Sequence, residues 1–494
     1  MTLKARIENG VVYSPYASEP VPETSLYQAV KQLLEQHRNR TAVVWDDEDV
    51  TFPELLRMFQ RYAAGFQAHG IKKGDRVLVH LNNSLENMVA LYSIVFAGGV
   101  AVSSDPFLSD EDILYRIRDS NAVYILTAAS EADRFNNMRG KLNMKGYFTV
   151  GTAPGFVSVT EFRKLKEDTY LECQVEDVNS EVVVMFYTSG TTGIPKGAEH
   201  THFSIVASLP RPKSYNDFND EEVICSRFNI TSSPGFRLYL RVFSSGAKTI
   251  LLPTSAGPRK VLDALTKCKV TSILGSITMI EQLARKIEVE GIHLDCLKSV
   301  IITGARVGHT TLRQLEPAFG SALIKSCYGS TEIGRISQPP MGEFKWYGIG
   351  FPAPMAEIKV VDVKSGKVLG PNEQGEVLVK SQTSMKGYYG NPEATSKVIT
   401  PDGWLRTGSD ICYYNEDGQF FFVERMNQLF RCMGTHVAPC QIESVLLRHQ
   451  GIAEAAVIGV PHAEYQEAAR AFVVLKTSSS KVTKEELQDF VAGK

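Results

Sequence analysis

The chain lacks a long hydrophobic run, a cysteine framework and a surplus of either charge. Its longest apolar stretch, Met88 to Val102, is about 15 residues with Gly98 and Gly99 inside it, short of the roughly 20 that a membrane-spanning helix needs. No transmembrane span is therefore expected. The 8 cysteines form no Cys-x-x-Cys pair and no Cys/His spacing of a zinc site, which excludes a disulfide scaffold and points to a reducing compartment. Lys plus Arg total 53 against 55 for Asp plus Glu, and no block of like charge stands out, so the concentrated basic surface that holds nucleic acid is missing. Met1 to Pro15 carry no apolar leader segment, and Val491 to Lys494 is not a Ser-Lys-Leu address. A cytoplasmic location is the expectation, with peroxisomal import unsupported by these residues.

What is present is the balance of a folded protein: 43% hydrophobic and 22% charged residues over 494 positions. That length predicts one large domain built of subdomains plus a smaller one. Nothing in the composition specifies an oligomeric state.

The first part of the chain alternates helical periods with short β-branched runs. Residues 54–70 read as a helix and 75–81 as a strand; Leu85 to Phe96 and Ile113 to Asp119 read as helices, each followed by a strand, at Val100 to Ser103 and at Ala122 to Thr127. This pattern predicts an α/β fold with parallel sheets. A second such stretch, about 181–345, opens on a strand at Glu181 to Tyr187, whose apolar centre suits burial on both faces. From 346 to 424 short alternating runs, such as Glu357 to Val363 and Gly375 to Lys380, are punctuated by Pro, Gly and turn residues, which reads as a small antiparallel sheet or barrel. A last α+β unit covers 425–494, with a helix at Pro439 to His449, strands at Ala455 to Val460 and Ala471 to Leu475, and a helix from Thr483. The expected domains are thus 1–424, with subdomains at about 1–180, 181–345 and 346–424, and 425–494.

The chemistry concentrates after the strand at Glu181 to Tyr187. Thr188, Ser189, Gly190, Thr191, Thr192 and Gly193 lead to Lys196 between Pro195 and Gly197. Glycines let backbone N–H groups approach oxygens, the hydroxyls add donors, and the lysine adds a compact positive charge, a composition suited to a polyphosphate. It is not a Walker A loop, which would need Gly and a hydroxyl on either side of the lysine.

This loop resembles the signature of the adenylate-forming superfamily of acyl-CoA synthetases, 4-coumarate CoA ligases and beetle luciferases. The resemblance continues in order through Thr303-Gly304-Ala305, Tyr328 to Glu332, Gly403 to Asp410, Glu424-Arg425 and Gly434 to Pro439, and so spans most of the chain. It implies a large ATP/AMP-binding domain and a small mobile C-terminal domain. It further implies that Gly304, Ala305, Tyr328 and Gly329 surround the nucleotide, that Lys196, Thr331 and Glu332 act at the phosphates with Glu332 binding Mg²⁺, and that Asp410 and Arg425 serve the ribose. Ser233, Gly235, Ile336 and Gly434 would line the acyl and coenzyme A paths, and Glu424 to Asn427 would be the hinge. The implied reaction joins a carboxylic acid to coenzyme A at the expense of ATP. A luciferase-like monooxygenase and a catalytically impaired adenylate binder are the alternatives.

Departures from the family bear on these expectations. The family continues past the position of Lys494 through a strand and a Gly-Lys motif that carries the adenylation lysine, so the small domain is expected to lack that lysine and to leave a sheet edge unpaired. At Thr231 to Phe236, hydroxyls and a proline stand where luciferases and many ligases carry a histidine or aromatic followed by glycines, so acid specificity does not transfer. Ile336 stands where luciferases have a small residue. An amino acid substrate is disfavoured, because Phe236-Arg237-Leu238 offers a cation where an ammonium would need a carboxylate. Ile277, Ile280 and Leu283 at helical spacing read as core or as a wall of the acyl pocket. His200 and His202, placed on a helix after the loop, do not share a face, which disfavours a metal site.

Overall fold

The computed structural model describes residues 3–37, 40–188, 194–210, 218–305, 307–340, 348–432, 435–462, 466–476 and 482–492. Four sheets, of eight, nine, six and four strands among these residues, organise the chain. No described helix is long and apolar enough to cross a membrane, and Cys173, Cys225, Cys268, Cys296, Cys327, Cys412 and Cys440 are free thiols.

The first sheet has a parallel centre of Arg76–His80, Val100–Ser104, Tyr124–Ala128 and Gly146–Val150. The helices between them begin at side-chain caps. Ser84 accepts a hydrogen bond from the Asn87 N–H ahead of Leu85–Phe96, and Ser109 does the same for Asp112 ahead of Asp110–Ser120. Leu85–Phe96 is buried along its whole length, which is why its sequence is apolar on every side.

The second sheet runs parallel through Val223–Ser226, Lys248–Leu251, Ser272–Gly275, Ser299–Thr303 and Leu323–Ser330. The strands Ala356–Val361, Gly375–Ser381, Leu405–Tyr414 and Phe420–Arg425 form the expected antiparallel sheet, to which Val11–Tyr13 adds an N-terminal strand. The last unit pairs Ile452–His462 with Gln466–Leu475 in a long hairpin beside the helix Pro439–Leu446.

Two strands join sheets other than those their position in the chain suggests. Val182–Tyr187, read as the opening of the second stretch, pairs parallel with Val100–Ser104 and completes the first sheet. The loop after it is too short for a parallel crossover, so the next strand, Gly197–Thr201, returns antiparallel beside it in the same sheet. Conversely, Thr41–Trp45 leaves the first 180 residues to pair with Lys248–Leu251. Periodicity identifies the first of these strands but carries no information on its partner, and Thr41–Trp45 is a strand the sequence reading did not assign.

Candidate functional site

The strands Val182–Tyr187 and Gly197–Thr201 put the glycine- and hydroxyl-rich segment at a hairpin tip. Tyr187 is the register partner of Gly197, and the Thr188 N–H donates to the Lys196 carbonyl at 3.0 Å. Ser189, Gly190, Thr191, Thr192 and Gly193 lie outside the described residues. Thr188 and Lys196 line a cleft of about 770 Å³, and the Lys196 ammonium stands 5.6 Å from the centre of the Tyr388 ring.

The segment Tyr328 to Glu332 forms the second wall. It is a tight return from Leu323–Ser330 into Gly334–Gln338, with Ser330 opposite Gly334, rather than the entry to a helix. Gly329 is required by this approach, since a Cβ there would lie 2.3 Å from the Gly334 carbonyl oxygen. Other segments then clamp the turn. Tyr388 Oη donates to Glu332 Oε1 at 2.8 Å, the Met385 N–H donates to the Glu332 carbonyl at 2.6 Å, and His200 Nε2 donates to the Thr331 carbonyl at 2.9 Å. Burial, with the neighbouring Glu332 carboxylate, raises the Tyr388 hydroxyl pKa and keeps it a donor. Among the described residues Glu332 Oε2 has no hydrogen bond, and the carboxylate borders the cleft, a placement that fits Mg²⁺.

The third wall is Asp410, held opposite Arg425 by the pairing of Leu405–Tyr414 with Phe420–Arg425. Asp410 Oδ2 accepts from Tyr328 Oη at 2.5 Å. Arg425 Nε lies 3.3 Å from Oδ1 as an ion pair, but its N–H is not aimed along a hydrogen bond, so the buried Oδ1 makes none. Burial raises the Asp410 pKa, with Tyr328 and Arg425 pulling the other way. A buried carboxylate oxygen without a donor, in a cleft, is an acceptor awaiting a ligand hydroxyl.

Beneath the turn lies a pair that sequence reasoning did not assign to the site. His200 is on the strand Gly197–Thr201, not on a helix, and it is fully buried. Its Nδ1 accepts from Arg237 Nη2 at 2.8 Å, while Nε2 donates to Thr331. Burial and the Arg237 charge hold the His200 pKa well below the usual histidine value, so the ring is neutral with its proton on Nε2. The signal in the sequence is an arginine amid the apolar helix Ser233–Ser244, between Phe236 and Tyr239.

The other expected residues divide. Gly304 and Ser233 line the cleft with Tyr328, Gly329, Thr331, Asp410 and Arg425. Ala305 is exposed and outside the lining. Gly235 is buried at the start of the helix Ser233–Ser244, where a Cβ would lie 2.0 Å from the Asn229 carbonyl, so its position answers to backbone packing. Ile336 is core, packed with Ile333, Ala353 and Phe420. Met279, Ile280 and Leu283 are core between the helix Ile277–Glu290 and the second sheet. Glu424 is buried at the end of its strand, Asn427 sits in the short turn Met426–Gln428, and Gly434 lies outside the described residues.

The chain matches the family described as AMP-binding enzyme over residues 30–389 and that described as AMP-binding enzyme C-terminal domain over residues 441–494. It is 29% identical to peroxisomal OPC-8:0-CoA ligase 1 of Arabidopsis thaliana, the match covering 98% of this chain and 90% of the relative. It is 27% identical to luciferin 4-monooxygenase of Photuris pensylvanica, over 98% and 92% of the two chains. Among solved structures it superposes on ATP-bound MatB of Rhodopseudomonas palustris with a TM-score of 0.84 and 25% identity, covering 95% of this chain and 92% of that one.

Proposed function

The chain belongs to the AMP-binding enzyme family, and from that membership we propose that it is an AMP-forming acid–thiol ligase. A substrate carboxylate oxygen attacks the α-phosphorus of Mg-ATP, the bond to the β-phosphate breaks, and pyrophosphate leaves with an acyl adenylate formed. The thiol of coenzyme A then attacks the acyl carbon, the acyl–oxygen bond breaks, and AMP departs.

The observation that supports this best is the convergence, in one cleft, of three groups that the nucleotide needs. They are the lysine of the hairpin tip, a carboxylate with a spare oxygen at Glu332, and a buried carboxylate oxygen without a donor at Asp410. In this reading Lys196 neutralises charge at the transferring phosphate and the Thr331 hydroxyl donates a hydrogen bond to it, as electrostatic preorganisation requires. Glu332 holds Mg²⁺, Asp410 with Arg425 accepts and orients the ribose hydroxyls, and Tyr328 fixes the Asp410 rotamer. Tyr388 and His200 set the position of the Thr331–Glu332 turn. The segment Glu424 to Asn427, at the exit from the antiparallel sheet, is the hinge about which residues 425–494 turn between the two half reactions. The use of ATP and coenzyme A, together with the free thiols, supports a reaction inside the cell, in the cytoplasm.

The test is pyrophosphate release from Mg-ATP with a panel of carboxylic acids, with and without coenzyme A. Lys196→Ala and Glu332→Ala are expected to depress it by about a hundredfold or more, the usual effect of losing one electrostatic group, with folding retained. Unchanged release in both would overturn the site.

A further inference from the structure

Arg237 is a buried cation for which the reaction above has no use. It lies on the helix Ser233–Ser244, is 5% exposed and lines the cleft. Its hydrogen-bond partners are all neutral acceptors: His200 Nδ1 at 2.8 Å and the carbonyls of Ser204 and Thr383, each at 3.5 Å. Nε makes no hydrogen bond. Among the described residues no carboxylate lies within the 4.0 Å of an ion pair with Arg237. Burial pulls its pKa down to about 9, which still leaves it charged at neutral pH. Desolvating a cation without a counter-charge is strongly unfavourable, so among the described residues the position is left suited to an anionic ligand.

The helix presents more than one cation to the same space. Arg241, one turn further on, also lines the cleft, and residues four apart share a helix face. The lining of the same cleft includes the apolar side chains of Leu238, Leu274 and Ile301. In the ligase reading the reacting carboxylate belongs beside Lys196 and Thr331, and the His200 ring stands between Arg237 and the Thr331 carbonyl. The buried charge thus borders the cleft from the helix Ser233–Ser244 and not from the Thr331–Glu332 turn.

Resting on the ligase reading, we infer that the acid is a dicarboxylic acid whose non-reacting carboxylate is held by Arg237, with Arg241 as second donor. A planar guanidinium matches a carboxylate in two hydrogen bonds, and the apolar side chains of the lining accommodate a methylene chain.

The experiment compares α,ω-dicarboxylates from succinate to sebacate with monocarboxylates of equal length on the full chain. The readouts are ATP–pyrophosphate exchange and, without ATP, the shift in melting temperature on adding each acid. The diacid is expected to be preferred by about tenfold or more in kcat/KM, the worth of one hydrogen bond to a charged group, and to raise Tm where the monoacid does not. Arg237→Met and Arg241→Gln should each lower the diacid-to-monoacid ratio. Arg241 is less buried than Arg237, so its variant decides the matter should Arg237→Met fail to fold. Monocarboxylates used equally well by the native chain, or a ratio unmoved in Arg241→Gln and in a folded Arg237→Met, would overturn the inference while leaving the ligase intact. Exchange with no acid at all would instead refute the ligase. In that event a Tm rise specific to diacids sustains the dicarboxylate site, and no rise overturns it.

Discussion

Replacing Asp410 by Asn separates stability from nucleotide use at this site. The carboxylate accepts from Tyr328 at 2.5 Å and pairs at 3.3 Å with Arg425, whose side chain is 50% exposed. Making the Tyr328 bond neutral forfeits about half of a charge-assisted hydrogen bond, about 1 kcal/mol. The half-exposed ion pair contributes about 0 to 1 kcal/mol. Against these losses, burial penalises the charged form, as the raised Asp410 pKa shows, and the neutral amide escapes that penalty. The net change in unfolding free energy is expected to stay within about 1 kcal/mol. ATP use responds differently. Two ribose hydroxyls donating to a carboxylate are worth about 1.5 kcal/mol each at the lower end, so their loss costs about a hundredfold in kcat/KM for ATP. Urea denaturation and pyrophosphate release at varied ATP read the two quantities on the same preparation. A variant whose kcat/KM for ATP stays within about twofold of the native value, where one lost charged hydrogen bond already predicts about tenfold, would refute the ribose assignment.

His200→Leu removes the donor to the Thr331 carbonyl and the nearest acceptor of Arg237. At about 1 to 3 kcal/mol for each buried orphan, urea denaturation should show a loss of about 2 to 6 kcal/mol; a loss under about 1 kcal/mol would contradict the clamp. Acid should also weaken the fold. Burial first, then Arg134 and Arg116, lowers the His80 pKa to about 4, and burial lowers that of His202 to about 4. The unfolded chain binds these protons near the ordinary histidine pKa of about 6.5 and the native chain does not, so this stability is present above that value and is lost as pH falls toward 4. Between pH 7.5 and 5 each contributes a loss of about 2 kcal/mol. His200 acts in the same sense. Asp410, Glu199 and Glu376, with pKa values raised by burial, oppose it. His80→Asn should flatten the urea-midpoint profile against pH, and an unchanged slope would count against a neutral buried ring. Gly235→Ala places a Cβ 2.0 Å from the Asn229 carbonyl, for which thermal denaturation should show a loss of about 1 to 3 kcal/mol; a neutral result would mean that the helix start can shift.

The residues legible in the sequence are those whose behaviour depends on near neighbours. Leu85–Phe96 is apolar throughout because it is buried along its length, and the apolar centre of Val182–Tyr187 alternates with nothing because both faces are covered. These elements lie where periodicity puts them, because burial pattern acts over a few positions. Lys196, Thr331, Glu332 and Asp410 were likewise legible as polar groups in motif positions, and they line one cleft. What local pattern could not carry is partnership. Tyr328 meets Asp410 across 82 positions, Thr41–Trp45 leaves its neighbours for Lys248–Leu251, and His200 finds Arg237 from another element. The sequence alone determined which residues are hydrophobic or chargeable. Only the tertiary structure decided which charge is left without a counter-charge, because burial and pairing are properties of what is adjacent in space, and Arg237 has an ordinary surface residue's composition until the strand bearing His200 closes over it.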